Sequence, residues 1–423
     1  MAKYILSKTA ENLIGSGIRK ISDVINARIE KGEKIYNFTI GDYNPKVFPI
    51  PEGLKKEIAE AYKDNQTNYP PSEGVAVLRN SISEFIKERG GFDYKPNEIV
   101  VGSGARPLTY TLFKTIVDPG EKIIYPAPSW NNNCYVQLAG ANGVAVQTSA
   151  ENDYVPTKED LLPHIKDAVL LAMNSPLNPS GTAFKKEALK EIIDLIVEEN
   201  KIREKENRKP LYIFFDQIYW ILTFNHIKHY NPVDLNPAIR DYIVFVDGIS
   251  KCFAATGVRL GWAYGPKPLM DKIKNILAHI GAWCPKPEQV ALGKFLQKKD
   301  EVNQYFDNFK SEIETRLKIF YNEFEYLKKE GYNVDSISPQ GAIYLTIKVN
   351  LKGMKTESGK VLETVDDILA YILDEAKIAV VPFYAFGASK DSPWFRLSVG
   401  TCSVQDAKDA ALALRNALHK LKK

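Results

Sequence analysis

Between residues 98 and 270 the chain alternates short apolar runs with helical patterns. The runs Glu98–Gly102, Lys122–Tyr125, Val144–Gln147, Val169–Met173, Leu211–Phe215, Tyr242–Val246 and Leu260–Tyr264 are rich in Val, Ile, Leu and Phe. Continuous apolar runs with polar ends are the signature of strands buried on both faces. Between them, Ala105–Ile116 and Phe184–Glu199 read as helices, the second with Leu189, Ile192, Ile193 and Ile196 on one stripe. Strands alternating with helices predict an α/β fold, a mostly parallel seven-stranded sheet flanked by helices.

After Pro287 the pattern becomes helical. Phe306, Phe309, Ile313, Leu317, Phe320, Phe324 and Leu327 step three or four residues apart through a predicted helix Val302–Lys329, which stops at Gly331. A strand Ala342–Lys348, a helix Val365–Ala376, strands Ile378–Val381 and Trp394–Ser398, and a helix Val404–Lys420 complete a smaller α+β unit. The helix Ile18–Ile29 is expected to pack with it. A chain of 423 residues exceeds one minimal core. The expected division is an arm and part of the small domain over 1–45, a large domain over 46–300, and a small C-terminal domain with its connecting helix over 301–423.

Charge and composition narrow the function classes. Lys and Arg number 56 against 52 Asp and Glu, and a net +4 is too small a surplus to argue for a nucleic-acid or membrane partner. The dense run Lys201–Lys209 is interleaved with Glu204 and Glu206 and reads as a solvated helix end and loop. No run approaches the roughly 20 apolar residues of a membrane-spanning helix, and Met1–Glu11 lacks a signal-peptide pattern. Cys134, Cys252, Cys284 and Cys402 stand far apart, which argues against a zinc or disulfide scaffold and for a reducing cytoplasm. His226 and His229 have no carboxylate between them and no third ligand, so no metal site is expected.

In a parallel α/β sheet, ligands bind where strands end and helices begin. Ser103-Gly104-Ala105 follows a strand and opens a helix, which suits either a phosphate or a plain turn with a Ser cap. Trp130 offers a flat indole at another strand end, or a half-buried packing ring. Asn178-Pro179-Ser180-Gly181 is a rigid turn that can fix a side-chain amide. Asp216 ends an apolar strand, with Tyr219 three residues on. A buried carboxylate needs a partner, and a protonated heterocyclic nitrogen is one; a helix cap is the alternative. Ser250-Lys251 follows the strand Tyr242–Val246, with Arg259 eight residues beyond Lys251. A lysine among cations has the lowered pKa that Schiff-base chemistry requires. Arg396, between Phe395 and Leu397, suits bidentate carboxylate binding or an internal salt bridge.

This set, in this order, resembles the fold-type I aminotransferases that use pyridoxal 5′-phosphate (PLP), specifically the class I/II, aspartate-aminotransferase-like family. The similarity runs from about Ser16 to the C-terminus. It includes Ile40-Gly41-Asp42, Tyr69-Pro70-Pro71-Ser72-Glu73-Gly74, Val101-Gly102-Ser103-Gly104-Ala105, Pro126-Ala127-Pro128-Ser129-Trp130 and Asn174-Ser175-Pro176-Leu177-Asn178-Pro179-Ser180-Gly181. It continues through Asp216-Gln217-Ile218-Tyr219, Ser250-Lys251, Gly257-Val258-Arg259-Leu260-Gly261, Gly341-Ala342-Ile343-Tyr344 and Phe395-Arg396-Leu397-Ser398.

The resemblance implies that Lys251 carries PLP as a Schiff base and then shuttles the substrate α-proton. It implies that Asp216 pairs with the ring nitrogen, that Asn178 and Tyr219 bind the ring 3-oxygen, and that Trp130 stacks on the ring. Ser103, Gly104, Ala105, Ser250 and Arg259 would hold the phosphate, joined by Tyr69 from the neighbouring subunit of a homodimer. Arg396 and the Gly41 backbone would grip the substrate α-carboxylate, with Ser16, Trp130 and Asn178 also at the substrate.

Gly248 departs from the family, which has a serine there; Arg106 stands where many relatives have a lysine or another polar residue. Lys201–Lys209 looks like a surface insertion. The implied activity is ping-pong transfer of an amino group from an L-amino acid, aspartate or a broad or aromatic set, to a 2-oxo acid, 2-oxoglutarate. A fold-type I lyase (a C–S lyase or a cyclopropane-forming synthase) shares the same residues and is the rival reading. A non-catalytic PLP-binding regulator is less consistent with so short a segment ahead of the matched region.

Overall fold

A computed structural model describes residues 4–13, 17–224 and 226–422. Its main sheet has seven strands: β1 Ile99–Gly102, β2 Lys122–Ala127, β3 Asn142–Gln147, β4 Ala168–Asn174, β5 Tyr212–Asp216, β6 Ile243–Gly248 and β7 Gly261–Tyr264. They lie in the order β1-β7-β6-β5-β4-β2-β3; β7 is antiparallel to both neighbours and every other pair is parallel. The apolar runs mark the strands to within about two residues; the central strands are covered on both sides, whereas the edge strand β3 is largely exposed. Leu171, Met173, Ile213, Phe215, Phe245 and Trp262 face one core. Their alternating neighbours Leu170, Ala172, Phe214, Val244 and Ala263 face another, under the helices Ala105–Ile116 and Lys267–His279.

The helix Lys299–Lys329 links two cores. Val302 and Phe306 join the sheet core, whereas Phe309 to Leu327 pack into a second core with the C-terminal unit. That unit holds an antiparallel sheet running Val381–Pro382, Trp394–Ser398, Tyr344–Val349, Val334–Ser336 from edge to edge. The single strand expected over Ile378–Val381 is in fact two. Ile378–Ala379 pairs in parallel with Tyr36–Asn37, and past Val380 the chain crosses to pair Val381–Pro382 with Trp394–Ser398. The helix Gly17–Glu30 docks on the C-terminal unit through Arg28, which bonds both Glu33 and Asp374 at 2.7 Å.

One expectation fails in the charged run. The helix Lys186–Lys205 extends into it, and Arg203 is buried rather than solvated. Its Nε donates to Glu199 one turn back at 2.7 Å, Nη1 to the Lys209 carbonyl at 3.0 Å and Nη2 to the Ile165 carbonyl at 2.6 Å. A fully hydrogen-bonded guanidinium can be buried where a lysine cannot, and here it ties the helix end to the loop before β4.

Candidate active site

The carboxyl ends of β4, β5 and β6, the start of the helix Ala105–Ile116 and the strand Trp394–Ser398 border a cavity of about 1010 Å³. Parallel strands ending side by side place unlike polar residues on one rim. Ala105, Trp130, Asn178, Asp216, Tyr219, Ser250, Lys251, Arg259, Gly41 and Arg396 all line it.

Asp216 closes β5, in register with Asn174 of β4. Asn174 staples the two strand ends: its Nδ2 donates to the Asp216 carbonyl at 2.9 Å, and its Oδ1 accepts from the Asn178 N–H at 2.8 Å. The Asp216 carboxylate accepts from the Ile218 N–H at 3.0 Å and forms no ion pair among the described residues. Burial pushes its pKa from 3.8 up to about 6, against the pull of Lys251.

Lys251 sits in the short helix Ile249–Cys252 that follows β6, and its Nζ donates to the Gly41 carbonyl at 2.6 Å. Burial lowers its pKa to about 8; Asp42 opposes the shift, while Arg396, Arg106 and Arg259 reinforce it. The Tyr43 hydroxyl donates to the Lys251 carbonyl at 2.9 Å, which fixes the backbone bearing the amine. Tyr219 stands across the cavity wall with its hydroxyl 2.6 Å from that of Tyr344.

At one end, Arg259 lays its guanidinium over Gly104, where a Cβ would clash with it and where φ is +87°. Its Nη1 donates to the Thr256 carbonyl at 2.6 Å and its Nη2 to the Ser103 carbonyl at 3.3 Å. No side chain caps the helix that begins at Ala105, so its first-turn N–H groups are available to an anion beside Arg259 and Ser250. Ser103 and Gly104 themselves stand behind Arg259 rather than in the cavity wall. Gly248 faces Gly261 across the β6–β7 ladder, where a Cβ would lie 2.7 Å from the Gly261 Cα. Trp130 lines the cavity with the Arg106 guanidinium 4.3 Å from its ring centre.

At the other end, Arg396 is buried in its strand. Nη1 donates to the Asn178 side-chain oxygen at 3.0 Å and Nη2 to the Thr39 carbonyl at 2.6 Å, while Nε has no hydrogen-bond partner. No ion pair involves Arg396 among the described residues, so the internal salt bridge left open by the sequence is absent, and an anion is what this cation lacks. A Cβ on Gly41 would lie 2.8 Å from the Tyr344 hydroxyl, so any side chain here would have to displace that hydroxyl.

One expected residue stands apart from this cavity. Tyr69 is 81% exposed, away from the cavity of its own chain, with its ring 5.4 Å from that of Trp283. Ser16 lies outside the described residues. Conversely, the sequence assigns no site role to Tyr43, or to Asn174 and Tyr344, which enter only as members of matched segments. Tyr344 reads as an ordinary strand aromatic, and only the pairing of its strand with that of Arg396 brings it here. His229, one of the two clustered histidines, is buried among Phe92, Phe215 and Trp220.

An unpaired carboxylate, an amine of lowered pKa and a cationic helix start, spaced around one cavity, fit PLP: ring nitrogen, aldehyde and phosphate each meet a suitable group. Residues 33–414 match the sequence profile of the family described as aminotransferase class I and II. The chain is 30% identical over 374 residues to a probable aspartate/prephenate aminotransferase of Rickettsia felis, covering 88% of this chain and 86% of that one. It is 30% identical over 344 residues to an aspartate aminotransferase of Bacillus sp. strain YM-2, covering 81% and 82%. The crystal structure of an aspartate aminotransferase from Rhizobium meliloti superposes with a TM-score of 0.88 at 25% identity, covering 99% of this chain and all of that one.

Proposed function

The chain belongs to the class I and II aminotransferases, PLP-dependent enzymes of fold type I, and from that premise we propose the following assignment of substrates and residues. The amino donor is an L-amino acid with aspartate foremost, the acceptor is 2-oxoglutarate, and the keto-acid product leaves before the acceptor enters. The observation that carries this reading is that half-buried Asp216 and buried Arg396, two charges without ion partners among the described residues, flank Lys251 in one cavity.

Bound there, PLP supplies an electron-accepting ring that stabilises negative charge at the donor's Cα. Asp216 holds the ring nitrogen in its protonated form. Asn178 and Tyr219 donate hydrogen bonds to the ring oxygen, and Trp130 packs on the ring. Ala105, Ser250 and Arg259 bind the phosphate, with Ser103 and Gly104 shaping the turn beneath them. Arg396 binds the donor's α-carboxylate through its fork, and the Gly41 carbonyl, which accepts from Lys251, keeps the amine at the substrate. Lys251 Nζ takes the α-proton, a task that needs the neutral amine its lowered pKa makes available.

Residues 46–300 form the cofactor-binding domain in this reading, and 1–45 with 301–423 form the smaller one. Tyr69, exposed in its own chain, reaches the site of a second copy in a homodimer. No helix among the described residues is long and apolar enough to cross a membrane, and a cytoplasmic location is part of the proposal. The test is a half-reaction. Purified holoenzyme mixed with L-aspartate alone releases one equivalent of 2-oxo acid per site, with the amino group retained until 2-oxoglutarate is added. Release of ammonia instead would assign the chain to the lyases.

A further inference from the structure

We propose that Tyr344 is a positioning residue that acts through Tyr219, directing the Tyr219 hydroxyl proton into the cavity. This rests on the reading above, in which Tyr219 donates to the ring oxygen. The two hydroxyls lie 2.6 Å apart, buried, with ring centres 5.6 Å apart and nearly edge to face. A hydroxyl pair at this distance holds one proton between its oxygens. Only when Tyr344 is the donor does Tyr219 keep its own proton for the cavity.

The surroundings favour that direction. The Arg396 guanidinium lies 4.6 Å from the Tyr344 ring centre, and a cation there makes the phenol a stronger donor. No further partner for the Tyr219 hydroxyl exists among the described residues, so its remaining direction is the cavity it lines. A hydroxyl that accepts one hydrogen bond is also a better donor in the next, so the chain Tyr344 to Tyr219 to ring oxygen strengthens along its length. Tyr344 thereby joins the carboxylate-binding end of the site to the ring end, through its face on one side and its hydroxyl on the other.

Tyr344→Phe removes the hydroxyl and keeps the ring under Arg396. The charged groups around the pair, Arg396, Asp216, Asp42 and Lys251, are unchanged in every variant compared. The readout is the pH midpoint of the visible absorbance of the holoenzyme, which reports how well the anionic ring oxygen is stabilised. Tyr219→Phe is expected to raise the midpoint by about one unit or more, and Tyr344→Phe by about half to one unit, the loss of one hydrogen bond's support. kcat falls roughly 3- to 10-fold in Tyr344→Phe while KM for the amino donor moves less than about 2-fold. The double variant matches Tyr219→Phe alone. Tyr344→Leu, which also removes the face under Arg396, adds a rise in KM.

A wild-type midpoint in Tyr344→Phe beside a shifted Tyr219→Phe overturns this inference alone. So does an undiminished Tyr344→Phe effect in the Tyr219→Phe background. An unshifted Tyr219→Phe overturns both the reading of Tyr219 and the inference built on it.

Discussion

The Arg396 guanidinium donates to the side-chain oxygen of Asn178 at 3.0 Å, so the group proposed for the substrate carboxylate also orients the amide proposed for the ring oxygen. A fork is needed to do both at once, since its other terminal nitrogen is committed to the Thr39 carbonyl. Arg396→Lys keeps the charge and loses the fork. It is expected to lower kcat/KM by about 100-fold, mainly through KM, because charge-assisted hydrogen bonds contribute about 1.5–3 kcal/mol each. No carboxylate is orphaned by the change, so the protein stays folded. Steady-state kinetics with a panel of amino donors checks this, and a KM within about threefold of wild type would contradict it.

Asp216 makes a prediction about the cofactor-free protein. Burial raises its pKa from 3.8 to about 6, so the folded state binds a proton more tightly than the unfolded chain does. Stability is then fully retained below pH 4 and falls by about 3 kcal/mol as the pH rises through 6. Asp216→Asn removes that loss. In denaturant melts without PLP, the variant should be more stable than wild type at pH 8 and equal to it at pH 4, although its transamination collapses. Asp247, raised to about 8 chiefly by burial, is pushed up further by the Asp216 charge, so Asp216→Asn relieves it as well and widens the difference at pH 8 in the same direction. Equal melts at pH 8 would mean that Asp216 has a cation the structure does not show.

The sequence carries the central strands clearly because they are covered on both faces and therefore spelled in nearly uninterrupted apolar residues, whereas the edge strand Asn142–Gln147 is largely exposed. It carries the strand-end chemistry for the same reason: a polar residue closing such a run, as Asp216 does, has no structural cause on the strand itself. It fails where a residue's meaning depends on a distant partner. Arg203 belongs to a charged run, and although Glu199 stands one turn back, nothing local says that the Ile165 carbonyl waits beneath it. Tyr344 is one aromatic in an apolar strand until the register Thr346↔Arg396 sets that strand beside Arg396. The break at Val380 is invisible because both short strands are apolar, and only the change of pairing partner separates them.

Lys251 predicts the pH dependence of cofactor capture. Its amine is lowered to about 8 by burial, against about 10.4 for an ordinary lysine. The neutral amine is the nucleophile, so the rate at which the cofactor-free protein binds PLP covalently should rise with pH and level off above about 8. Borohydride trapping followed by peptide mass spectrometry places the label on Lys251. Lys251→Ala should retain no label while still melting cooperatively, although it leaves the Gly41 carbonyl without its donor and Asp42 and Asp216 without a nearby cation. A rate still climbing at pH 10 would show that the amine is not shifted.

Gly248 permits the sharpest test of geometry against resemblance. The family pattern that the chain resembles has a serine there, and restoring it is an obvious way to add a phosphate contact. The structure forbids it. A Cβ at Gly248 would lie 2.7 Å from the Gly261 Cα and 2.8 Å from the Leu260 carbonyl oxygen, both backbone atoms fixed by the β6–β7 ladder. Gly261 cannot retreat, because its own free face lies against Gly104 and Ala105; a Cβ there would be 2.7 Å from the Gly104 carbonyl carbon and 2.8 Å from the Ala105 nitrogen. Room for the serine must come from shifting β7 into the start of the helix Ala105–Ile116. Gly248→Ser is therefore expected to cost about 1–3 kcal/mol of stability, the usual range for overpacking. It should also weaken PLP retention, read as a larger dissociation constant in fluorescence titrations of the cofactor-free protein. Gly261→Ala, which presses directly on the helix start, should do so at least as strongly. Tighter PLP binding by Gly248→Ser at unchanged stability would show that the β6–β7 edge yields and that the close glycine pair is no constraint.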